Sequence, residues 1–494
     1  MKMFLKNNHT GSIKNNMIMN AILTMSSFIF PLITFPYISR ILWPAGTGKV
    51  NFATSVVTYF SMFVQLGIPT YGIRCCAKVR DDKEKLSRTV HELLIINLFM
   101  CFLVYIVFII SVLKIPRFSR DKTLFFIIGL SIGLNAIGCE WVYKALEKYS
   151  YITVRSIVFK VIALIGMFLF VKKQSDYVIY GGITIFASSC SNILNFWNLR
   201  KYIYFKPLKN YNIKQHIKLV LVFFSMSVAT TIYTNLDSVM LGFMKGDIEV
   251  GYYNAAVKIK SILVSLVTSA SAVLLPRASY YVDKGELDKF YQILKKTMHF
   301  VILLSFPMMI YFMIFANEGI IFISGDAYYG SIIPMQIIMP TVLFIGMTNI
   351  MGIQMMVPLG MEKKVLYSEI AGAVIDLIMN AIFIPIYAAG GAALGTLIAE
   401  FIVWIIQVCF IKLDIKKIYT NINFIFILIA TLMGCIASIW IKLMNWPLIL
   451  ELIASALLFF GIYLLVLFFK KDVLVLEIFR KFWKRNKVEK SIYK

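Results

Sequence analysis

The sequence predicts an all-α polytopic membrane protein of about fourteen transmembrane helices, arranged as two pseudo-symmetric six-helix lobes plus two terminal helices. Three observations predict this. Of 494 residues, 60% are hydrophobic and only 15% charged, with a mean hydropathy of +0.79; soluble domains are nearer half apolar and a quarter charged. The apolar excess comes in blocks of roughly 20 residues, the length that crosses about 30 Å of hydrocarbon at about 1.5 Å per residue. The basic residues, 50 Lys and Arg against 25 Asp and Glu, gather in alternate loops, as they do on the cytoplasmic side of membrane proteins.

The elements follow in order. Residues 1–16 are polar and lack a small-residue cleavage site after the first apolar run, so that run reads as an uncleaved first span behind a cytoplasmic N-terminus. The N-lobe, 17–200, holds spans at 17–39, 50–72, 91–113, 123–146, 152–171 and 177–199. A basic cytoplasmic linker covers 201–216. The C-lobe, 217–411, holds spans at 217–241, 250–275, 294–315, 329–357, 364–386 and 391–411, and residues 420–469 add spans at 421–442 and 447–469. The tail, 470–494, puts Val475, Ile478, Phe479, Phe482 and Trp483 on one helical face and Arg480, Lys481, Lys484 and Arg485 elsewhere. Such a basic amphipathic segment suits the anionic inner leaflet. Loops after even-numbered spans hold RCCAKVRDDKEKLSR and PRASYYVDKGELDK, so both termini are expected to be cytoplasmic. One segment, KIPRFSRDK (114–122), places four positive charges on the outer side against that rule.

An internal repeat underlies the two-lobe expectation. GKVNFA (48–53) and GYYNAA (251–256) share G-x-x-N-x-A at the entry to spans two and eight. In each copy an Arg lies 23 residues after the Asn, Arg74 after Asn51 and Arg277 after Asn254. Each Arg precedes a similar segment, DKEKL (82–86) or DKGEL (283–287).

The net charge of +25 records topology, since no basic patch alternates with stacking aromatics; nucleic acid is not an expected partner. No G-x-x-x-x-G-K-[ST] loop is present, and the histidines at 9, 91, 216 and 299 form no i, i+4 pair. Seven cysteines show neither metal-ligand spacing nor a disulfide framework. No soluble domain or long outer loop is present to house an active site. No catalytic residue, cofactor or metal is therefore expected, and transport is the remaining function class.

Charges inside apolar spans are the candidates for that function, because a lone Lys in hydrocarbon costs about 3 kcal/mol or more. In span eight, Asn254, Lys258, Ser261, Ser265, Thr268/Ser269 and Ala272 recur at three- and four-residue steps and form one polar or small stripe, whereas Lys260 falls off it. Span seven carries a matching stripe of Ser227, Thr230/Thr231, Thr234, Asp237 and Ser238. Asp237 and Lys258 are expected to lie at similar depth. The stripes serve either close helix packing, with Asp237 neutralising Lys258, or a hydrated cavity. Span two carries Asn51, Ser55, Thr58 and Gln65; Lys160 lies in span five with Glu140 as its expected partner. Glu369, Asp376 and Asn380 share a face of span eleven, and Thr396, Glu400 and Gln407 share one of span twelve.

Several blocks resemble a known family: FPLITFPYISRIL (30–42), LGIPTYGIR (66–74), EWVYKALEKYSYITVRS (140–156), NLDSVMLG (235–242), EVGYYNAAVKI (249–259) and LLPRAS (274–279). They are similar to the Wzx-type polysaccharide flippases of bacteria, within the multidrug/oligosaccharidyl-lipid/polysaccharide superfamily. Trp43 departs from the pattern, which has Gly after SRIL. The resemblance implies two six-helix lobes around a cationic cavity and two terminal helices in the bacterial cytoplasmic membrane. It implies translocation of undecaprenyl-pyrophosphate-linked oligosaccharide repeat units by alternating access, for O-antigen, capsule or another surface polysaccharide. A polymerase and a chain-length regulator are the implied protein partners. Carried over by position, Arg40, Lys160 and Lys258 are cavity cations, with Asp237 as partner and Asn254 as a further substrate contact. Asp376 and Glu400 have no counterpart in that pattern; their depth suits coupling to Na⁺ or H⁺. A cation-coupled multidrug exporter of the same superfamily, or a membrane polysaccharide polymerase or ligase, is the alternative.

Overall fold

In a computed structural model, the structure describes residues 13–272, 274–412, 414–420, 422–444 and 446–477. All elements among the described residues are helical. They run α1 (Ile13–Gln65), α2 (Ile68–Lys78), α3 (Lys83–Lys114), α4 (Pro116–Ser119), α5 (Lys122–Ile137), α6 (Glu140–Ala145), α7 (Tyr149–Phe170), α8 (Tyr177–Ile185), α9 (Ser191–Leu199), α10 (Lys214–Met244) and α11 (Asp247–Ala272). There follow α12 (Leu275–Asp283), α13 (Leu287–Ile314), α14 (Ala316–Ser324), α15 (Ile332–Ile338), α16 (Thr341–Thr348), α17 (Glu362–Phe410), α18 (Ile415–Tyr419), α19 (Phe424–Ile439) and α20 (Leu448–Phe469). A π-helical turn, Phe186–Cys190, joins α8 to α9, and a second, Asn349–Met356, extends α16.

Among the described residues, ten helices are long and apolar enough to cross a membrane, eleven if the bent pair Asp326–Ile338 and Thr341–Met356 counts as one span. The expected fourteen is therefore not confirmed by length and composition, for two physical reasons. Helix α1 has 53 residues and α17 has 49, each far longer than a bilayer requires, and each is interrupted once. The interruptions are Trp43 (φ 56°, ψ 177°) and Ala388 (φ 48°, ψ −122°). Helix α11 is long enough, but Asp247, Glu249, Lys258 and Lys260 dilute its hydropathy. Dividing the two long helices and admitting α11 and the bent pair would restore fourteen.

Contacts divide the chain into two units, Met1–Gly251 and Tyr252–Lys494. The first unit takes in α10, whereas the repeat starts the second lobe at residue 217; α10 belongs there by packing on α1 and α2. In this unit α5 packs on α1, α3 and α8, and α7 on α1. The repeat glycine Gly48 and its counterpart Gly251 mark a close crossing within it. A Cβ on Gly48 would stand 1.8 Å from the Asp247 carbonyl oxygen, and one on Gly251 2.1 Å from that of Pro44.

Two charges in and beside the segment that departs from the charge rule are held by local partners. Arg117 Nε donates to the Gly242 carbonyl (2.9 Å), its guanidinium pairs with Asp247, and it lies 4.8 Å over the Phe52 ring. Lys49 pairs with Asp121 at 2.8 Å, and the Tyr177 hydroxyl donates to the same carboxylate at 2.8 Å.

In the second unit α13 packs on α16, α18 and α19, and α15 and α16 pack on α17. The terminal pair α19 and α20 packs together. Lys442 ties it down by donating to the Ile314 carbonyl (2.6 Å) and pairing with buried Glu318 (3.0 Å). Tyr463 donates to the Leu303 carbonyl at 2.8 Å, and Tyr311 to that of Leu452 at 3.1 Å. Of the expected amphipathic tail, Leu474 and Val475 are buried and Glu477 pairs with Lys296; residues 478–494 lie outside the described residues, as does the N-terminus before residue 13.

Candidate functional site

The first unit holds a cavity of about 440 Å³ walled by α1, the start of α2, α5, the α8–α9 segment and α10. The second half of α1 contributes Thr54, Thr58, Ser61 and Gln65; α5 contributes Ser131 and Asn135; Ser188 and Ser189 come from the π turn; and α10 adds Ser227 and Thr231. Among the described residues, Lys, Arg, Asp, Glu and His are absent from the lining. Val57, Ile128 and Ile185 supply apolar patches between the hydroxyls.

Helical hydroxyls commonly satisfy themselves by donating to the carbonyl of the preceding turn. Thr58 does so to Thr54 (2.8 Å), Ser131 to Ile128 (2.7 Å) and Ser188 to Ile185 (3.4 Å). Asn192 Nδ2 donates to Asn135 Oδ1 at 3.0 Å. Ser61, only 9% exposed, has no protein partner among the described residues, and its side chain lines the cavity. The π turn, rare and frequent at functional sites, lets the adjacent Ser188 and Ser189 both reach the lining, where their hydroxyls lie 3.2 Å apart.

The expected site residues fall in several places. Asp237 is buried on α10, and Asn254 and Lys258 are half-buried on α11. On α11 the stripe hydroxyls turn back on their own helix: Ser261 donates to the Val257 carbonyl (2.7 Å) and Thr268 to that of Val264 (2.8 Å). On α10 the stripe splits, with Ser227 and Thr231 at the cavity while Thr230 and Thr234 bond back to Met226 (3.1 Å) and Thr230 (2.9 Å). Arg40 is exposed, and its Nη1 donates to the Pro36 carbonyl at 2.6 Å.

The hydrogen bonds of Lys160 go elsewhere than expected: its ammonium donates to Ser26 Oγ (2.9 Å) and Ser27 Oγ (3.0 Å), while Glu140 acts on it through charge without a hydrogen bond. Glu140 is held by Lys144 (2.9 Å) and by Arg155 (3.3 Å), which is itself anchored on the Ser191 carbonyl (2.9 Å). Lys160 lies at an apolar groove of about 360 Å³ formed with Ile22, Met25, Ile29 and Ile33 of α1. In the second unit Asp376, Asn380, Thr396, Glu400 and Gln407 of α17 are all buried, while Glu369, expected on the same face, is exposed. Thr396 Oγ1 lies 2.9 Å from the Tyr253 hydroxyl, and Gln407 donates to Ser368 at 3.2 Å.

One cluster was not anticipated. His216 Nε2 sits 2.7 Å from buried Glu92, and its Nδ1 2.8 Å from the Tyr71 hydroxyl. The Asn212 amide (2.6 Å) and Gln215 Nε2 (3.0 Å) also donate to Glu92. Scattered histidines carry no local signal for such a pairing, which joins residues more than 120 positions apart.

Residues 13–282 match the family model described as "Polysaccharide biosynthesis protein". The chain belongs to that family. It is 24% identical over 408 residues to a protein of Escherichia coli (strain K12) named as a candidate O-antigen transporter, covering 82% of this chain and 98% of that one. In solved structures its fold is similar to "Lipid II flippase MurJ, inward closed conformation", with a TM-score of 0.74 at 19% identity over 92% of this chain and all of that one. It is also similar to an inward-facing multidrug resistance MATE family transporter of the MOP superfamily, with a TM-score of 0.61 at 13% identity, covering 82% and 99%. The Wzx-type resemblance is borne out, and the family member is a multi-pass membrane transporter rather than an enzyme. The MATE likeness bears on fold alone.

Proposed function

We propose that this protein flips undecaprenyl-pyrophosphate-linked oligosaccharide repeat units from the cytoplasmic to the outer leaflet of the bacterial cytoplasmic membrane, with both termini cytoplasmic. The observation that carries the reading is a hydroxyl-lined cavity within a helical bundle of the polysaccharide biosynthesis family. A lipid tail can stay in the bilayer, so the bundle has only to pass the head group. Sugar hydroxyls are met by Ser, Thr, Asn and Gln, and phosphates by Lys and Arg as charge-assisted donors. Lys258, Lys160 and Arg40 are the proposed phosphate contacts, with Asp237 and Asn254 positioning them or the sugars. Alternating access exchanges the side to which the cavity opens. Asp376 and Glu400 are the proposed coupling carboxylates for Na⁺ or H⁺; unchanged flipping after collapse of both gradients would remove that role.

The test is Lys258→Ala in a strain whose surface polysaccharide depends on this protein. The variant should reach normal protein levels and lose surface polysaccharide, with lipid-linked repeat units accumulating inside, and Lys258→Arg should retain part of the activity. Normal polysaccharide from the alanine variant would sink the proposal.

A further inference from the structure

Resting on the flippase reading, we infer that the cavity of the first unit is a subsite for an uncharged sugar residue of the head group, separate from the groups that hold the pyrophosphate. The chemistry of the lining narrows the ligand class by elimination. A phosphate or a uronic acid would enter a space whose lining, among the described residues, holds neither Lys nor Arg, and a metal ion or cationic drug would enter one that holds neither Asp nor Glu. Transferring an ion into such surroundings without a partner is strongly unfavourable. A neutral polyol meets hydroxyl and amide groups that both donate and accept, with Val57 and Ile128 for its C–H faces.

Two features set this space apart from a packing defect between helices. Ser61 is nine-tenths buried, lines the cavity and has no protein partner among the described residues, so its hydroxyl is left for whatever fills the space. The π turn opposite presents two consecutive serines to the same volume, an arrangement that costs regular helix geometry. At about 440 Å³ the cavity is within the range of small-molecule sites, roughly 300–1,000 Å³, and of a size for a monosaccharide or disaccharide.

The experiment uses the full chain in lipid nanodiscs and four probes: undecaprenyl pyrophosphate, and the same lipid carrying N-acetylglucosamine, galactose or glucuronic acid. The wild-type protein should bind at least one neutral-sugar lipid tenfold or more tighter than the bare lipid, and the glucuronic acid lipid no tighter than the bare lipid. In Ser61→Ala/Gln65→Leu/Thr231→Val that preference should vanish while bare-lipid affinity stays unchanged, which also shows that the variant is folded. As a second measurement, a thiol reagent should label Ser61→Cys, and the preferred neutral-sugar lipid should block labelling where the bare lipid does not. Equal affinity for bare and neutral-sugar lipids, a preference for the acidic sugar, or a preference that survives the triple variant would overturn the subsite and leave the flippase reading standing. Failure of every lipid to bind, bare lipid included, would overturn the flippase reading and the subsite with it.

Discussion

Trp43 provides a measurement of strain at the break in α1. Its backbone, φ 56° and ψ 177°, occupies a region that is essentially reserved for glycine. A non-glycine residue held there costs about 1–3 kcal/mol. The indole returns little, because Trp43 is 53% exposed. Replacing it by glycine alone would mix relief of strain with loss of the ring, so the informative comparison is Trp43→Gly against Trp43→Ala. Both remove the indole, and only alanine keeps the Cβ that meets the strain. In a regular helix glycine is worse than alanine by about 0.5–1 kcal/mol. Here the order should invert, with glycine more stable by up to about 2.5 kcal/mol once that entropic cost is subtracted from the strain. Unfolding by SDS titration in mixed detergent micelles, followed by loss of helical circular dichroism, gives the difference directly. An alanine variant as stable as the glycine variant would show that the break is unstrained. The same inversion should appear at the break in α17, where Ala388→Gly is predicted to stabilise the protein.

Other residues give further tests. Glu92→Ala leaves His216 and the Asn212 amide without their buried partner and should cost about 3–5 kcal/mol in the same titration; Glu92→Leu with His216→Phe should recover most of that loss. Gly251→Ala drives a Cβ into the Pro44 carbonyl and should destabilise the first unit by at least about 1–3 kcal/mol. Asp82 caps α3 by accepting from the Lys85 (3.1 Å) and Glu84 (3.0 Å) amides, which holds its carboxyl below the usual range. Because the folded value is depressed, the cap is intact above the ordinary carboxylate value of about 3.9 and is lost as pH falls through the folded value. Protection of those two amides from hydrogen exchange, corrected for intrinsic rates, should therefore hold at neutral pH and fall only in acid.

How much of this was legible depended on whether the signal was local. Hydropathy blocks and the charge bias of the loops identified the helical membrane class, because twenty apolar residues in a row have few alternatives. The departure at Trp43 was visible as a missing glycine, and the positive φ there supplies the physical reason. The polar stripe on span two anticipated half of one cavity wall through Thr58 and Gln65. Ser131, Asn135, Ser188 and Ser189 escaped notice because serines in an apolar helix usually bond to their own backbone, and only the π turn and the approach of α10 turn them into a lining. Ion pairs fared worst. Arg117 with Asp247 and His216 with Glu92 join residues more than 120 positions apart, and no periodicity records such a meeting.

The charges buried in the spans divide by what compensates them, and that division separates support from function. Lys442 meets a carboxylate, buried Glu318, and Arg155 meets Glu140. Among the described residues Lys160 hydrogen-bonds to two serine hydroxyls beside an apolar groove and feels Glu140 through charge alone. Removing Lys442 strands Glu318 and should cost about 3–5 kcal/mol. Removing Lys160 strands no carboxylate. The desolvation relieved at mid-membrane, about 2.5–3.5 kcal/mol, offsets two hydrogen bonds from a charged donor at about 1.5–3 kcal/mol each. Lys160→Met should therefore lose no more than about 3.5 kcal/mol of stability, and yet should reduce flipping severely if the ammonium receives the pyrophosphate. Stability by SDS titration and lipid-linked intermediates by thin-layer chromatography read the two effects separately. A Lys160→Met protein that flips normally would return this lysine to the structural class although no carboxylate hydrogen-bonds to it among the described residues, and would narrow the proposed phosphate contacts to Lys258 and Arg40.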